Sequence, residues 1–351
     1  MQPFERLAER CSGRTGSNRI PLTACYLMRV REVSGILLLL PTHERTWCRR
    51  IFLSALIPFL FLLCQCSQPG SQSLAPPTAT REIVDDVGRG VSVEVEVKRV
   101  VSLAPNLTEI VYAVGAGETL VGVTSYCDYP AEAQRVAKVG DTLHPSVERI
   151  IALRPQVVLV STASQLEAFA RQLDSHHIAV FVTDPRDLEG VFRSIQQVGL
   201  IHNRQGQAAQ LVKELRARTA AVEAAVKTRP PINVFYQLSD EPLYTAGKDA
   251  FVTDLIRRAG GASITAAVPG AWPKYSAESA LAARPEAVIL PTGGSTGTGN
   301  SFLTSALKRS PAAINGKVFK INADHLSRPG PRAVKGLEEM ARALHPEAFK
   351  Q

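Results

Sequence analysis

The segment Ser146-Val-Glu-Arg-Ile-Ile-Ala-Leu-Arg-Pro-Gln-Val-Val158 is repeated 130 residues later as Ser276-Ala-Glu-Ser-Ala-Leu-Ala-Ala-Arg-Pro-Glu-Ala-Val288. Each copy has a Ser two residues before a Glu and an Arg-Pro pair six and seven residues after it, and an apolar run follows at once. This spacing exceeds the roughly 20 to 50 residues of solenoid repeats. The repeat therefore predicts two similar α/β lobes, each with one outward-pointing acid, Glu148 or Glu278, at an equivalent place.

Most of the positive charge of the chain lies at its N-terminus. Of a formal net charge of +8, residues 1–66 supply +5, since they hold nine Arg and no Lys against four Glu. The composition, with 45% hydrophobic and 6% aromatic residues, is that of a soluble globular protein. Because the body has no basic stripe, the sequence does not support a nucleic-acid partner.

An export signal is predicted near residue 50. Arg49-Arg50 precedes 13 apolar residues, 51–63, and a bilayer-spanning helix needs about 20. A cationic pair before a short apolar run is typical of an export signal. The alternative is an uncleaved membrane anchor. Residues 1–44 have no role in such a signal, and we interpret them as translated upstream sequence.

The apolar run ends in Leu63-Cys64-Gln65-Cys66, and the polar segment 67–80 follows. This resembles the end of a bacterial lipoprotein signal, in which a Cys is lipidated and a flexible tether follows. The residue before that Cys should be small, which fits neither candidate, so Cys66 and Cys64 both stay open. Only Cys127 of the six cysteines lies beyond this region, so the mature body has no internal disulfide and no Cys-based metal site.

The body reads as strands separated by helical segments, which predicts a parallel α/β sheet in each lobe. An Ala-rich, Pro-free stretch from residue 203 has apolar residues at spacings of three and four, as a long helix does. We expect two Rossmann-like lobes with parallel central sheets, joined by a single long backbone helix that permits only small lobe motions. The predicted divisions are an extension and signal at 1–66, a tether at 67–80, an N-terminal lobe at 81–202, the connecting helix at 203–228 and a C-terminal lobe at 229–351.

The first lobe is expected to contain a β-hairpin around Gly88-Arg-Gly90 and then an apolar strand at 99–103. A turn is predicted at 104–106, followed by a helix at 108–116. Glu109 would lie in the first turn of that helix, where the helix dipole favours an acid.

Six short stretches carry a more specific pattern. They are residues 99–109 (RVVSLAPNLTE), 121–130 (VGVTSYCDYP), 147–155 (VERIIALRP), 244–248 (YTAGK), Trp272-Pro273 and Asp324-x-x-x-Arg328. Together they resemble the periplasmic substrate-binding proteins with a helical backbone, and among these the cobalamin (vitamin B12) receptors of ABC importers. The second and fifth stretches are fairly specific for corrinoid receptors, whereas the first and third are shared with haem and iron-siderophore receptors.

The resemblance implies a ligand held between the lobes. Tyr126 would press its ring on one face of the corrin, Trp272 would contact it from the other lobe, and Asp324 and Arg328, in the loop after the last strand, would bind its amides. Thr142 and Ser161 stand where some cobalamin receptors have Trp, which removes aromatic area. The predicted ligand-binding residues are Tyr126, Trp272, Asp324, Arg328, Leu238 and Thr142.

Glu148 and Glu278 match acids that in this family dock into Arg pockets of the two permease subunits. A two-fold permease presents the same socket twice, which accounts for the repeat. The alternative is that each acid is a solvated first-turn residue stabilised by the helix dipole. The expected partners are thus a small-molecule corrinoid, an ABC permease dimer and, through the lipid anchor, a membrane outside the cytoplasm. We expect a monomer without resident cofactor or catalytic activity.

Two alternatives to a corrinoid receptor stay open at this point, a receptor for another ligand and a hydrolase. The ligand could be haem or a ferric siderophore, and His144, with His325, could then ligate a metal. Gly293-Gly-Ser295-Thr-Gly297 matches the elbow of serine hydrolases, which also need an acid and then a His. No phosphate-binding Gly-x-x-x-x-Gly-Lys-Ser/Thr loop is present, so energy from ATP would come from a partner.

Overall fold

The computed structural model describes residues 79–161, 172–294 and 302–350. The chain divides into two compact units, residues 1–74 and 75–351, and every described residue lies in the second. The expectations for the export signal, for Cys64 and Cys66 and for Ser295 lie outside the described residues. Within them, no helix is both long and apolar enough to cross a membrane.

The N-terminal lobe begins with an antiparallel hairpin of β1 (Thr80–Val84) and β2 (Gly90–Glu94). A parallel sheet follows, with its strands in the order β4 (Leu120–Val123), β3 (Val100–Ser102), β5 (Val157–Ser161) and β6 (Ala179–Thr183). Its strands are almost wholly buried, as expected for a parallel sheet covered by helices on both faces. The elements of this sheet and its helices are β3 (Val100–Ser102), α1 (Pro105–Ala113), β4 (Leu120–Val123), α2 (Val147–Ala152), β5 (Val157–Ser161), β6 (Ala179–Thr183) and α3 (Leu188–Ile201).

The C-terminal lobe has a second parallel sheet, with its strands in the order β10 (Val318–Asn322), β9 (Ala287–Thr292), β7 (Ile232–Tyr236) and β8 (Gly261–Ser263). Read in chain order, β7 to β10 take the same places as β3 to β6, which confirms two similar lobes. Its elements are β7 (Ile232–Tyr236), α5 (Phe251–Arg258), β8 (Gly261–Ser263), α6 (Ala277–Ala282), β9 (Ala287–Thr292), α7 (Pro311–Ile314), β10 (Val318–Asn322), α8 (Ala323–Ser327) and α9 (Ala333–Leu344).

Helix α4 (Gln205–Val226) connects the lobes. At 1.5 Å per residue its 22 residues span about 33 Å. Ion pairs tie it to both lobes, since Arg216 pairs with Glu189 of α3 at 2.5 Å and Arg218 pairs with Glu338 of α9 at 2.8 Å. Its buried residues follow a spacing of three and four and are Ala208, Val212, Leu215, Thr219, Val222 and Val226.

The repeated segment folds alike in both lobes. Arg154 and Arg284 adopt left-handed φ angles of 45° and 50°, and their amides bond to carbonyls of α2 and α6 at 2.9 and 3.0 Å. A left-handed residue ends a helix, and the Pro that follows each Arg cannot continue it. The chain then enters β5 or β9, so the Arg-Pro pair explains why a strand follows each helix at the same distance.

Three local predictions were wrong. The chain does not turn at residues 104–106, because α1 begins at Pro105, where the fixed φ of proline and its missing N–H suit the first helical position. Glu109 is therefore the fifth residue of α1 and buried, not a first-turn acid. Asp324 lies in α8 rather than in a loop, since Asn322 accepts a bond from its amide and begins that helix.

Candidate functional site

The loops at the carboxyl ends of the two sheets meet along one boundary, here called the inter-lobe seam. Arg328, after α8, donates to Asp128 Oδ1 at 2.8 Å and to the backbone oxygen of Tyr126 at 3.4 Å, both beyond β4 in the other lobe. Asn106, at the start of α1, donates to the backbone oxygen of Pro329 at 3.3 Å. Open α/β sheets bind ligands outside the carboxyl ends of their strands, so the inter-lobe seam is the candidate ligand site.

Tyr126 lies on the N-terminal side of the seam with 36% of its surface exposed. Its loop is anchored on both flanks. The Ser125 amide donates to the Gly140 carbonyl at 2.9 Å, and the Thr108 hydroxyl of α1 lies 3.1 Å from the buried Cys127 sulfur. The ring is thus presented from a fixed backbone, as a stacking surface requires.

Trp272 lies on the C-terminal side and is 39% exposed. The carbonyls of the residues on either side of it accept bonds from the amides of Gly247 at 2.9 Å and Thr245 at 3.2 Å. Its ring centroid is 6.1 Å from that of Tyr236, which is fully buried at the end of β7. Burial raises the pKa of the Tyr236 phenol, so the phenol is neutral and its ring packs beside the Trp272 indole.

Leu238 and Thr142 also come from the carboxyl edges of their sheets, and both are half-buried. Leu238 follows β7 by two residues, and its amide donates to the Tyr244 carbonyl at 2.9 Å. Thr142 lies in a turn where Asp141 Oδ1 accepts two backbone amides at 2.7 and 2.6 Å. That turn directly follows Gly140, whose carbonyl holds the Tyr126 loop. The half-exposed Tyr244 is an additional aromatic residue of this edge, for which sequence reasoning assigned no role.

Five charged side chains form a cluster across the seam, which we call the seam cluster. Arg328 Nη1 binds Asp128 at 2.8 Å and Glu109 at 3.2 Å, and its Nε lies 3.1 Å from Asp324 Oδ1. Arg332 donates two hydrogen bonds to the Glu109 carboxylate, from Nε to Oε2 at 2.9 Å and from Nη2 to Oε1 at 2.6 Å. The members are Glu109, Asp128, Asp324, Arg328 and Arg332. Two come from the N-terminal lobe and three from the C-terminal lobe, so the cluster joins the lobes.

Each charged side chain of the seam cluster pairs with an opposite charge within the cluster. Buried ions are tolerated when they are paired and hydrogen-bonded. Burial opposes the charged form of Arg332, yet its bonds to Glu109 prevail and raise its pKa above the ordinary value. Arg332 also lies 4.1 Å from the ring centroid of Tyr129, a cation-π contact that extends the cluster to a half-exposed aromatic residue. With three carboxylates and two guanidinium groups counted as ionised, the cluster carries a net charge of −1.

The structure brings Asp324 and Arg328 together at the seam, but both are more than 90% buried. Binding of a ligand amide by Arg328 stays a prediction, and it requires the ligand to share or replace one of the bonds to the cluster. The backbone of Gly294 packs against Asp324, since its φ is +92° and a Cβ there would lie 2.8 Å from Asp324 Oδ1. This close approach accounts for a glycine after β9 without a hydrolase elbow.

Glu148 and Glu278 are second residues of α2 and α6 and have the same environment. Ser146 and Ser276 begin the helices, and their hydroxyls donate to Glu148 Oε2 at 3.0 Å and Glu278 Oε2 at 2.8 Å. The backbone amide of each Glu, followed by that Ser hydroxyl, lowers the pKa of its carboxyl group. Both acids are exposed and ionised, as two equivalent docking groups would be.

The histidines proposed as metal ligands have other partners. His144 is exposed and lies 3.4 Å from Asp141, whereas His325 is buried and lies 3.0 Å from Glu339. Among the residues that the structure describes, no group of three or more His, Cys, Asp or Glu could hold a metal ion. The described geometry thus gives no support to a metal site at either histidine.

Two lobes with parallel sheets, a single connecting helix and a seam between the carboxyl edges define a substrate-binding protein. The family model described as periplasmic binding protein matches residues 100–325, and the chain belongs to that family. The family consists of binding proteins rather than enzymes.

Two relatives indicate which kind of substrate-binding protein the chain resembles. The uncharacterized ABC transporter substrate-binding lipoprotein YvrC of Bacillus subtilis is 29% identical over 316 residues, covering 85% of this chain and 98% of its own length. The vitamin B12-binding protein of Vibrio parahaemolyticus is 28% identical over 255 residues, covering 73% and 91%. Membership of this family implies a substrate-binding role in an ABC importer, with a small-molecule ligand, an ABC permease as partner and an extracytoplasmic location.

Solved structures show the same fold with different ligands. The periplasmic vitamin B12 binding protein BtuF of Vibrio cholerae has a TM-score of 0.64 and 25% identity, covering 73% of this chain and 99% of its own. The periplasmic heme-binding protein BhuT, in complex with two hemes, has a TM-score of 0.63 and 26% identity, covering 70% and 99%. The shared fold therefore does not determine which ligand this chain binds.

Proposed function

We propose that this chain binds a corrinoid, such as cobalamin, in the inter-lobe seam and delivers it to the permease dimer through Glu148 and Glu278. Lipidation of Cys64 or Cys66 would tether it to the membrane.

The charge of the seam cluster is the observation that carries the choice of ligand. Both guanidinium groups are bonded to carboxylates, and the net charge is −1. Haem brings two propionates, and ferric siderophores are commonly anionic, so each would meet like charge at this seam. A cobalamin is fringed mainly by neutral amides, which meet no like charge at this cluster.

The aromatic residues support the same choice. Tyr126 and Trp272 come from opposite lobes, and each leaves more than a third of its surface open. A large, flat, partly apolar ligand needs rings for contact area and a few polar groups for orientation. In the proposed complex Tyr126 and Trp272 supply the rings, and Asp324 and Arg328 orient the ligand once it shares a bond of the seam cluster.

Calorimetric titration of the full chain in detergent micelles with cyanocobalamin, cobinamide and haemin tests the proposal. We expect saturable binding of at least one corrinoid at one per chain, and no binding of haemin. Visible spectra recorded at each point separate the ligands, because corrinoids and haem absorb at different wavelengths. Saturable haemin binding without corrinoid binding would overturn the proposal.

A further inference from the structure

We infer that Phe302 is an additional ligand-contacting residue of this chain, which supplies apolar area that Thr142 and Ser161 lack. The inference rests on the proposed function, since it assigns a further residue to the same seam. Phe302 belongs to none of the sequence stretches that carry the family resemblance.

The backbone at Phe302 is held by one buried side chain. Gln237, which is fully buried and directly follows β7, donates from Nε2 to the Phe302 carbonyl at 2.7 Å. The Oε1 atom of the same amide accepts the Thr304 backbone N–H at 3.1 Å. Both ends of one amide group are thereby used to fix a short segment. Such pairing satisfies a buried polar side chain that would otherwise destabilise the fold.

This attachment determines where Phe302 lies. Gln237 stands between Tyr236, whose ring supports Trp272, and Leu238, a predicted ligand residue. The backbone at Phe302 therefore lies beside the residue that follows the carboxyl end of the central strand β7, at the sheet edge where the inter-lobe seam lies. Among the residues described, few are both as apolar and as exposed, since Phe302 is 77% exposed.

Exposure alone does not mark a binding residue, because single exposed apolar side chains are common. Ile314 shows this, since it is 74% exposed in the same lobe. It lies at the end of α7, just before β10 begins, and hence at the opposite edge of the sheet. Phe302 differs in being fixed at the ligand-facing edge, where a flat apolar ligand would cover its ring.

The two residues form a matched pair for an experiment. Burial of apolar surface drives association, and a bound ligand would cover part of the Phe302 ring. We expect Phe302→Ala to weaken cyanocobalamin binding about tenfold, with Phe302→Trp keeping the wild-type affinity and Ile314→Ala unchanged. Calorimetry on the full chain measures the affinities. Thermal unfolding midpoints within error of wild type show that the fold is intact, since neither side chain is buried.

The outcomes separate this inference from the proposed function. If the wild-type chain binds cyanocobalamin and Phe302→Ala binds it equally well, the inference is wrong and the proposed function stands. If Ile314→Ala loses as much affinity as Phe302→Ala, the loss is not local to the seam and the inference also fails. If the wild-type chain binds no corrinoid, the proposed function itself is wrong.

Discussion

Replacing Arg332 by Met is expected to lower the free energy of unfolding by about 2 to 4 kcal/mol. The buried Glu109 carboxylate accepts three hydrogen bonds from guanidinium groups, and Arg332 donates two of them. Removing one partner of a buried ion pair costs about 3 to 5 kcal/mol, because the other charge stays buried. The expected value is smaller here, since Arg328 remains at 3.2 Å and the Arg332 side chain is 18% exposed.

Urea denaturation followed by circular dichroism measures this loss, and Arg218→Met is the matched control. Arg218 makes an ion pair of similar length with Glu338, but its side chain is 46% exposed, so its removal should cost less than about 1 kcal/mol. Adding Glu109→Gln to Arg332→Met should recover part of the loss, because it removes a buried carboxylate charge that then has only Arg328 as its cationic partner. An Arg332→Met chain as stable as the Arg218→Met chain would refute the reasoning.

Three further changes test the site. Trp272→Ala should weaken corrinoid binding by about 1 to 3 kcal/mol through lost contact area, and an unchanged calorimetric titration would show that the ligand lies elsewhere. Replacing Glu148 and Glu278 together by Gln should leave ligand binding intact and stop uptake in reconstituted vesicles. Because the pKa of each carboxyl is lowered below its usual 4.5, docking of the wild-type chain should persist from pH 7 to pH 5, and a loss over that range would count against charged acids as the docking groups. Gly294→Ala should destabilise the fold by about 1 to 3 kcal/mol through strain and its clash with a seam-cluster carboxylate, measured by urea denaturation. Gly316→Ala, with φ +67° and open space around it, isolates the strain, and equal losses for both would disprove the clash.

Local signals in the sequence were enough for the architecture. The Ser, Glu and Arg-Pro of the repeat are each within nine residues of one another, and each determines a helix start or end close by. Apolar runs without alternation predict buried parallel strands. The strand Gly261–Ser263 was missed because Gly, Ala and Ser carry no strand signal, and its place depends on pairing with β7.

The seam cluster could not be predicted in this way. Glu109 and Arg328 are 219 residues apart in the chain, and nothing near either residue indicates the other. The position of Glu109 in its helix does not indicate this environment, because two cations from the other lobe, Arg328 and Arg332, determine it. Phe302 was missed for the same reason, since its significance comes from Gln237, 65 residues earlier.

The connecting helix has a consequence for transport. It is paired with α3 and with α9, and the seam cluster is a second set of ion pairs that joins the lobes. We expect two lobes joined in both ways to keep the separation of Glu148 and Glu278 nearly constant whether the receptor is empty or full. A permease that gripped both acids could then pull the ligand free only by spreading them, so the work of release would come from its own ATP-driven movement rather than from elastic energy stored in the receptor.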